Sequence, residues 1–330
     1  MKALVLYGPN DYRVEESWPT PRPPEGWALV KVAYAGICGS DIPRFFATGS
    51  YHSPMIIGHE FSGVVAKSTS GGIAEGTPVA VLPIIPCGTC EGCRATGQPF
   101  HCAHYQFIGS RNDGGFAEYC AVKEENLFPL AEGQDLKVGA MIELFAVGLH
   151  VVRRSGFKNG RSVVFGAGPI GLACAQWLTY LGSEVTVVDV RDYSLSIAKS
   201  LGLNAVAFSE LGEDKRFDFA YEASGASAAL TRAVLVTQDL GAITVVGRNA
   251  GDTVFSSAVF EKLMRKELTL NGCWGYNLSG EEALMRSFLA SRDVHSMISH
   301  IIPLNRVPET LETVVRAKGE YCKIMIDMGA

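Results

Sequence analysis

The chain has 330 residues, of which 47% are hydrophobic and 19% charged, and its net charge is −5. This length favours about two domains, and the composition excludes a disordered polypeptide. No block of lysine and arginine occurs, so neither nucleic acid nor an anionic membrane surface is an expected partner. The 9 cysteines are odd in number and partly clustered. They predict reduced thiols and metal binding in the cytoplasm rather than a disulfide framework.

The first 140 residues predict an irregular β domain. Short apolar runs between glycines and prolines predict strands at 1–7, 28–35, 63–66, 78–82 and 116–122. Apolar residues at helical spacing then predict one helix over 136–154. The uncharged stretch 162–183 is long enough for a membrane span, but its glycines and proline favour a buried strand, turn and helix.

From residue 162 the sequence predicts alternating strands and helices. The strands are at 163–165, 184–189, 217–221 and 242–246, and the helices at 169–181, 193–201 and 226–236. This alternation predicts an α/β fold with a doubly wound parallel sheet. Mixed elements follow: helices near 281–290 and 308–317 and a last strand at 323–326. We therefore expect a catalytic domain formed by 1–140 and 275–330, with a dinucleotide-binding domain at 141–274 inserted.

Residues 166–171 fit the dinucleotide-binding pattern G-x-G-x-x-G between a predicted strand and a predicted helix. Gly166 permits the tight turn, Gly168 lets the backbone approach a pyrophosphate, and Gly171 lets the helix pack on the strand. Pro169 and Ile170 open the helix, whose free N–H groups and partial positive charge attract phosphates.

Asp189 lies at the end of the next predicted strand, 18 residues after Gly171. Its carboxylate is placed to accept hydrogen bonds from the adenosine ribose and to repel a 2′-phosphate. The cofactor is therefore predicted to be NAD rather than NADP. The nearby Arg191 could soften that preference.

Four closely spaced cysteines predict a structural metal site. They are Cys87, Cys90, Cys93 and Cys102. Four thiolates satisfy tetrahedral zinc and leave no position for a substrate, which indicates a structural role. His101 and His104 flank the last cysteine and are alternative ligands.

Further polar motifs occur at 36–41, which reads GICGSD, and at 58–63, which reads GHEFSG. Together with the four cysteines, Glu143 and the glycine motif, in that order, they resemble the zinc-containing medium-chain dehydrogenase/reductase family, in its sorbitol-dehydrogenase-like branch. The resemblance covers essentially the whole chain. It implies a GroES-like catalytic domain, a Rossmann domain, a catalytic zinc ion and hydride transfer from an alcohol to NAD.

The resemblance also implies ligands for that catalytic zinc. Cys38 and His59 would hold it with Glu143 as a third ligand, while Glu60 would bind it directly or through water. One thiolate, one imidazole and one carboxylate leave a fourth position open for an alcohol oxygen. Ser40 would take the alcohol proton, and Glu143 or Glu60 is the other candidate base.

Other contacts implied by the resemblance lie near the carboxyl ends of predicted strands, where open α/β sheets bind ligands. Ser224, Val246 and Gly247 would contact the cofactor. Trp274 would lie at the nicotinamide or substrate edge.

Several motifs are similar to those of family members that oxidise polyol phosphates. Arg44 and Arg111 could bind a substrate phosphate, because a planar guanidinium binds phosphate through two hydrogen bonds. The expected substrate is a polyol or polyol phosphate. The alternatives are another small alcohol, threonine-like or sorbitol-like, and a non-catalytic NAD(H)-binding protein. Segments 242–246 and 269–274 could pair across a homodimer, and a homotetramer is the alternative.

Overall fold

The computed structural model describes residues 1–248 and 251–330. In residues 1–143 the strands are β1 (Ala3–Gly8), β2 (Asp11–Glu15), β3 (Trp27–Gly36), β4 (Met55–Ile56), β5 (Glu60–Ser68), β6 (Pro78–Val81), β7 (Ile84–Ile85), β8 (Gln106–Phe107), β9 (Tyr119–Lys123) and β10 (Leu127–Pro129). The α-helices completed in this segment are α1 (Glu91–Thr96) and α2 (Leu136–Gly139).

Strands and helices then alternate. They are α3 (Ile142–Arg154), β11 (Arg161–Phe165), α4 (Pro169–Tyr180), β12 (Glu184–Asp189), α5 (Asp192–Ser200), β13 (Asn204–Ala207), β14 (Phe217–Glu222), α6 (Ser227–Val236), β15 (Thr237–Val245), α7 (Ser257–Arg265), β16 (Thr269–Gly272) and α8 (Glu282–Ser291). The chain ends with β17 (Ile298–Pro303), α9 (Val307–Thr310) and β18 (Lys323–Asp327). None of the described helices combines the length and apolar character that crossing a bilayer requires.

The chain divides into two compact units, one formed by residues 1–143 and 298–330 and the other by residues 144–297. In the first unit, described strands pair in the order β10-β6-β5-β3-β18-β17, and β9 also pairs with β3. β3 is antiparallel to both β5 and β18, so that Gly36 lies opposite Glu60 on one side and Met325 on the other. The beginnings of β5 and β18 therefore lie on either side of the end of β3.

The second unit contains a parallel sheet of described strands in the order β13-β12-β11-β14-β15-β16. The strand order reverses between β11 and β14, which is where such sheets bind dinucleotides. Its core is built from apolar residues of strands and helices, among them Phe165, Ala220 and Ile243, each at most 1% exposed. The predicted fold class, an irregular β domain with a Rossmann sheet, is confirmed.

Two details differ from the sequence-based expectation. The return to the first unit occurs at residue 298, not 275. Helix α8 stays with the second unit because Phe288 stacks on Trp177 of α4 with ring centroids 3.8 Å apart. The single helix expected over 136–154 is two helices, since Met141 N donates to Val138 O and this i→i+3 bond tightens the turn between them.

Candidate active site

A group of possible metal ligands lies where β3 and β5 meet. Cys38 follows β3, His59 immediately precedes β5, and Glu60 begins it. One donor atom from each of these side chains lies within 4.8 Å of the others. A thiol, an imidazole and a carboxylate are ligands that zinc takes in proteins, so this donor set fits a zinc ion.

The ring of His59 is oriented by a buried carboxylate. His59 Nδ1 lies 3.4 Å from Asp41 Oδ1, and Asp41 Oδ2 accepts a hydrogen bond from Cys38 N at 3.0 Å. Within the described chain, neither Nδ1 nor Oδ1 makes a hydrogen bond of good geometry. Burial disfavours the charged imidazole, but the charges of Asp41 and Cys38 raise the pKa of His59 well above its usual value. A carboxylate at Nδ1 leaves Nε2 as the metal-binding nitrogen, as in many metal sites.

Glu60 is buried and ion-paired. Lys323, the first residue of β18, donates to Glu60 Oε1 at 2.9 Å and to Oε2 at 2.6 Å. Both side chains are 1% exposed. Burial opposes the ammonium charge, yet the Glu60 carboxylate raises the pKa of Lys323 above its usual value. No sequence signal identified this lysine, because the last strand reads as an ordinary apolar strand.

Glu143 lies beside this group rather than inside it. Its carboxylate is outside the described donor atoms that cluster within 4.8 Å. Burial raises its pKa to about 7, and the charges of His59, Glu60 and Lys323 also act on it. Ser40 is closer to the metal ligands, since its Oγ donates to Cys38 Sγ at 3.3 Å.

The four clustered cysteines form a second metal-ligand group. Their sulfur atoms lie within 4.8 Å of one another, and all four cysteines are free. The predicted members Cys87, Cys90, Cys93 and Cys102 are thus brought together, whereas His101 and His104 are outside the described group. Backbone N–H groups point at the sulfurs: Cys87 N donates to Cys102 Sγ at 3.2 Å, and His104 N donates to the same sulfur at 3.3 Å. Four thiolates fit a structural zinc ion.

The glycine motif forms a tight turn between β11 and α4. Gly166 has a φ of 101°, and a Cβ at Gly171 would lie 1.8 Å from Gly166 O, so both positions require glycine. Pro169 is the first residue of α4 and Ile170 the second, with Gly168 as the N-cap. The free N–H groups of this first turn fit a pyrophosphate.

Asp189 ends β12 next to this turn. Its Oδ2 accepts a hydrogen bond from Ala167 N at 2.7 Å, and its Oδ1 accepts one from Arg191 N at 2.9 Å. The Arg191 side chain is largely exposed, with Nε 3.9 Å from Asp189 Oδ1. A pocket beside Asp189 is lined by apolar and small residues, among them Phe165, Val188, Phe208, Ser224 and Ala229. An apolar pocket next to a carboxylate fits an adenine and its ribose.

Glu222 is a residue of this site that the sequence analysis missed. It is 2% exposed at the end of β14. Its Oε1 accepts hydrogen bonds from Ser224 N, Ser224 Oγ and Gly225 N at 2.8, 2.6 and 2.9 Å. Its backbone O accepts from Val246 N and Gly247 N. Glu222 thus joins the predicted cofactor contacts at the ends of β14 and β15, and a polar residue ending a predicted strand was the signal that could have identified it.

Each of the three predicted substrate residues takes part in a contact between an arginine and an aromatic ring. Arg44 and Arg111 each lie over the ring of Tyr51, at 5.2 and 4.7 Å from its centroid. Trp274 follows β16, is 58% exposed and lies under the guanidinium of Arg248 at 5.7 Å. Arg44 and Arg111 are therefore brought together, and Trp274 is placed at the carboxyl end of the parallel sheet.

Comparison with known proteins agrees with the fold and the donor groups described above. Residues 24–132 match the alcohol dehydrogenase GroES-like domain, and residues 169–291 match the zinc-binding dehydrogenase domain. Galactitol 1-phosphate 5-dehydrogenase of Escherichia coli K12 is 37% identical over 288 residues, covering 83% of both chains. Sorbitol dehydrogenase of Bacillus subtilis is 28% identical, covering 99% of this chain and 97% of that protein. The crystal structure of E. coli galactitol-1-phosphate dehydrogenase has a TM-score of 0.91 and 33% identity, covering 99% and 100% of the two chains.

The fold, the two thiol-containing donor groups and these matches define an oxidoreductase that uses zinc and NAD to act on alcohols. The chain belongs to the zinc-containing medium-chain dehydrogenase family. The alternative of a non-catalytic NAD(H)-binding protein, which the sequence left open, is therefore wrong.

Proposed function

We propose that this dehydrogenase oxidises a secondary alcohol of a polyol phosphate similar to galactitol 1-phosphate, with NAD as hydride acceptor. The observation that carries the proposal is the pairing of two guanidinium groups beside the metal-ligand group. Arg111 lies over Tyr51 and also over Tyr105, 4.4 Å from the Tyr105 ring centroid. Arg44 shares the Tyr51 ring and donates to Ser110 Oγ at 2.7 Å. These contacts fix both side chains, so they are organised before an anion binds.

The backbone N–H of each arginine is hydrogen-bonded to a residue that lies next to His59. Arg44 N donates to the backbone O of Asp41 at 2.9 Å, and Asp41 faces the imidazole. Arg111 N donates to Phe107 O at 2.8 Å, and the Phe107 ring centroid is 5.4 Å from that of His59. A phosphate held by two guanidiniums would thus tether a polyol whose hydroxyls reach toward Cys38 and His59.

Cys38 and His59 would hold the catalytic zinc, with Glu143 or Glu60 as a carboxylate ligand. When bound, zinc lowers the pKa of an alcohol oxygen and NAD accepts the hydride. The Asp41 carboxylate, 3.4 Å from His59 Nδ1, would favour a proton on that nitrogen, so that Nε2 stays available. Ser40 Oγ, beside Cys38 Sγ, is positioned to take the alcohol proton. Glu143 is the second candidate base, since burial raises its pKa to about 7.

The second unit would bind NAD at the carboxyl edge of its sheet. The first turn of α4 receives the pyrophosphate, and Asp189 accepts hydrogen bonds from the ribose hydroxyls. The Asp189 carboxylate is already fixed by two backbone N–H groups, so it does not move aside for a 2′-phosphate. This arrangement favours NAD over NADP.

Kinetics of arginine variants test the phosphate assignment. Arg44→Ala and Arg111→Ala should each lower kcat/KM for galactitol 1-phosphate by about 10- to 100-fold, because each removes charged hydrogen bonds to the phosphate. Oxidation of unphosphorylated galactitol should change by less than about threefold. Arg94→Ala, an exposed arginine of α1, is the matched control. Equal losses on both substrates would contradict the phosphate role and favour an unphosphorylated alcohol.

We also propose that the second unit forms a homodimer, with a tetramer as the alternative. β16 ends the described parallel sheet, and its Leu270 is 46% exposed. Phe260 and Met264 of the preceding helix α7 are 50% and 54% exposed. Unpaired strand edges with apolar side chains are covered in stable proteins. Leu270→Lys should lower the mass measured by sedimentation equilibrium, and an unchanged mass would place the interface elsewhere.

The proposed compartment is the cytoplasm. None of the nine cysteines forms a disulfide in the structure, including the four of the clustered group. A reducing compartment keeps such thiols available for zinc.

A further inference from the structure

The ion pair between Lys323 and Glu60 lies within the sheet next to the possible zinc ligands. Lys323 Nζ contacts both oxygens of the Glu60 carboxylate and also donates to Ile37 O at 3.2 Å. Ile37 immediately precedes Cys38, and Glu60 immediately follows His59. The ammonium therefore bonds to residues adjacent to both of these ligands.

The local sheet geometry provides space for this pair. β3 lies between β5 and β18, and Gly36 is paired with residues of both neighbours. A Cβ at Gly36 would lie 2.5 Å from Glu60 Oε2 and 3.4 Å from Lys323 Cδ. The ion pair thus crosses β3 at Gly36, which is the one residue of that strand without a side chain. This close approach holds the carboxylate in a defined place.

Stability alone does not account for this arrangement. Removing two charges from water is costly, and well-packed apolar residues often stabilise a core as well as a buried ion pair does. The pair instead has a consequence for the metal ligands. Cys38, His59, Glu60 and Glu143 together would supply four protein ligands, and a four-coordinate zinc of that kind has no open position for substrate.

We infer that Lys323 is a positioning residue that competes with the zinc ion for the Glu60 carboxylate, and thereby keeps one coordination position open for the alcohol. This inference rests on the proposed alcohol dehydrogenase chemistry at Cys38 and His59. Lys323 neutralises the Glu60 charge and occupies both of its oxygens. With Lys323 absent, Glu60 is a free anion within reach of the metal and becomes a permanent ligand.

The test uses the full-length enzyme with cobalt exchanged for zinc at Cys38 and His59 and zinc kept at the four cysteines. Lys323→Met retains the length of the side chain without its charge. Its cobalt absorption bands should shift, because a new carboxylate ligand changes the coordination. Release of cobalt to the chelator dipicolinate should become about tenfold slower, within the range seen when residues around metal ligands change. Neither measurement needs a polyol, so failure of the proposed substrate would not affect the result.

Three further variants separate positioning from a structural role. Lys323→Met combined with Glu60→Gln removes the freed carboxylate and should return the spectrum and the release rate to those of the wild type. Lys323→Arg should behave as the wild type. Lys67→Met, at an exposed lysine of β5, is the matched control and should change nothing.

A lysine that only stabilised the fold would give the opposite result, since its loss would loosen the site and speed metal release. Unchanged bands or faster release in folded Lys323→Met would overturn the inference. Should Lys323→Met fail to fold, the Glu60→Gln variant alone tests whether Glu60 is withheld from the metal. Its cobalt spectrum should match the wild type if Glu60 is withheld from the metal, and a changed spectrum would show that Glu60 is already a ligand.

Discussion

Glu222 Oε1 accepts hydrogen bonds from both the backbone N–H and the hydroxyl of Ser224, at 2.8 and 2.6 Å. The same carboxylate oxygen accepts from Gly225 N, so one buried side chain fixes the turn after β14. That turn lies at the carboxyl edge of the parallel sheet, next to the proposed adenosine pocket. The shape of the cofactor site therefore depends on a residue that need not touch the cofactor.

Glu222→Ala should weaken NAD binding without unfolding the protein. The loss of three hydrogen bonds leaves the Ser224–Gly225 turn unrestrained, and KM for NAD should rise about tenfold. Steady-state kinetics at a saturating alcohol concentration measure this change, and Glu213→Ala, at an exposed position before β14, is the control. An unchanged KM for NAD would contradict the role assigned to Glu222.

Asp189→Asn should reduce the preference for NAD. The substitution removes the negative charge that repels a 2′-phosphate, so kcat/KM should fall for NAD and rise for NADP, with the ratio changing by about tenfold or more. Asp192→Asn, an exposed carboxylate in the first turn of α5, should leave the ratio unchanged. If both variants alter the ratio equally, general surface charge and not the Asp189 contact determines cofactor choice.

Cys93→Ser should remove the metal of the four-cysteine group and leave the other. The described residues contain two such donor groups, so the zinc content measured by elemental analysis should fall from two ions per chain to one. The melting temperature should also fall, because a structural zinc ion contributes directly to folding. Cys273→Ser replaces a cysteine outside both groups and should retain the full zinc content. Retention of both ions in Cys93→Ser would show that three cysteines suffice.

Lys266→Met should lower stability with no effect on zinc content. Lys266 Nζ donates to the backbone oxygens of Val234, Leu235 and Thr237 and so satisfies the carboxyl end of α6. Loss of these charged hydrogen bonds should cost about 1–3 kcal/mol in the free energy of unfolding. Chemical denaturation measures this loss, with the exposed Lys262→Met as control. Equal stability of the two variants would contradict the capping role.

The sequence predicted those parts of the site that depend on local motifs. Spacing alone grouped the four cysteines, and the glycine pattern located the turn before α4. Long-range pairing was not predictable in this way. Lys323 reaches Glu60 across 263 residues of sequence, and nothing near the last strand marks that lysine as buried. The order β5-β3-β18 creates this contact, and strand order depends on the packing of the whole sheet.

Two further differences have a similar cause. They are the helix break at residues 140–141 and the return of the chain to the first unit at residue 298. Apolar periodicity continues through 136–154, so only the local i→i+3 bond at Met141 reveals two helices. Likewise, the sequence of α8 does not indicate to which of the two units the helix belongs. Stacking of Phe288 on Trp177 assigns it to the second unit.

The pairing of Gly36 with Glu60 makes metal loading dependent on correct strand alignment. Side chains alternate between the two faces of a strand, so a slip of β5 by one residue would turn Glu60 to the opposite face and carry His59 away from Cys38. A misaligned sheet would present no adjacent thiol and imidazole. Uptake of the catalytic ion during refolding would then mark the moment at which these two strands reach native alignment.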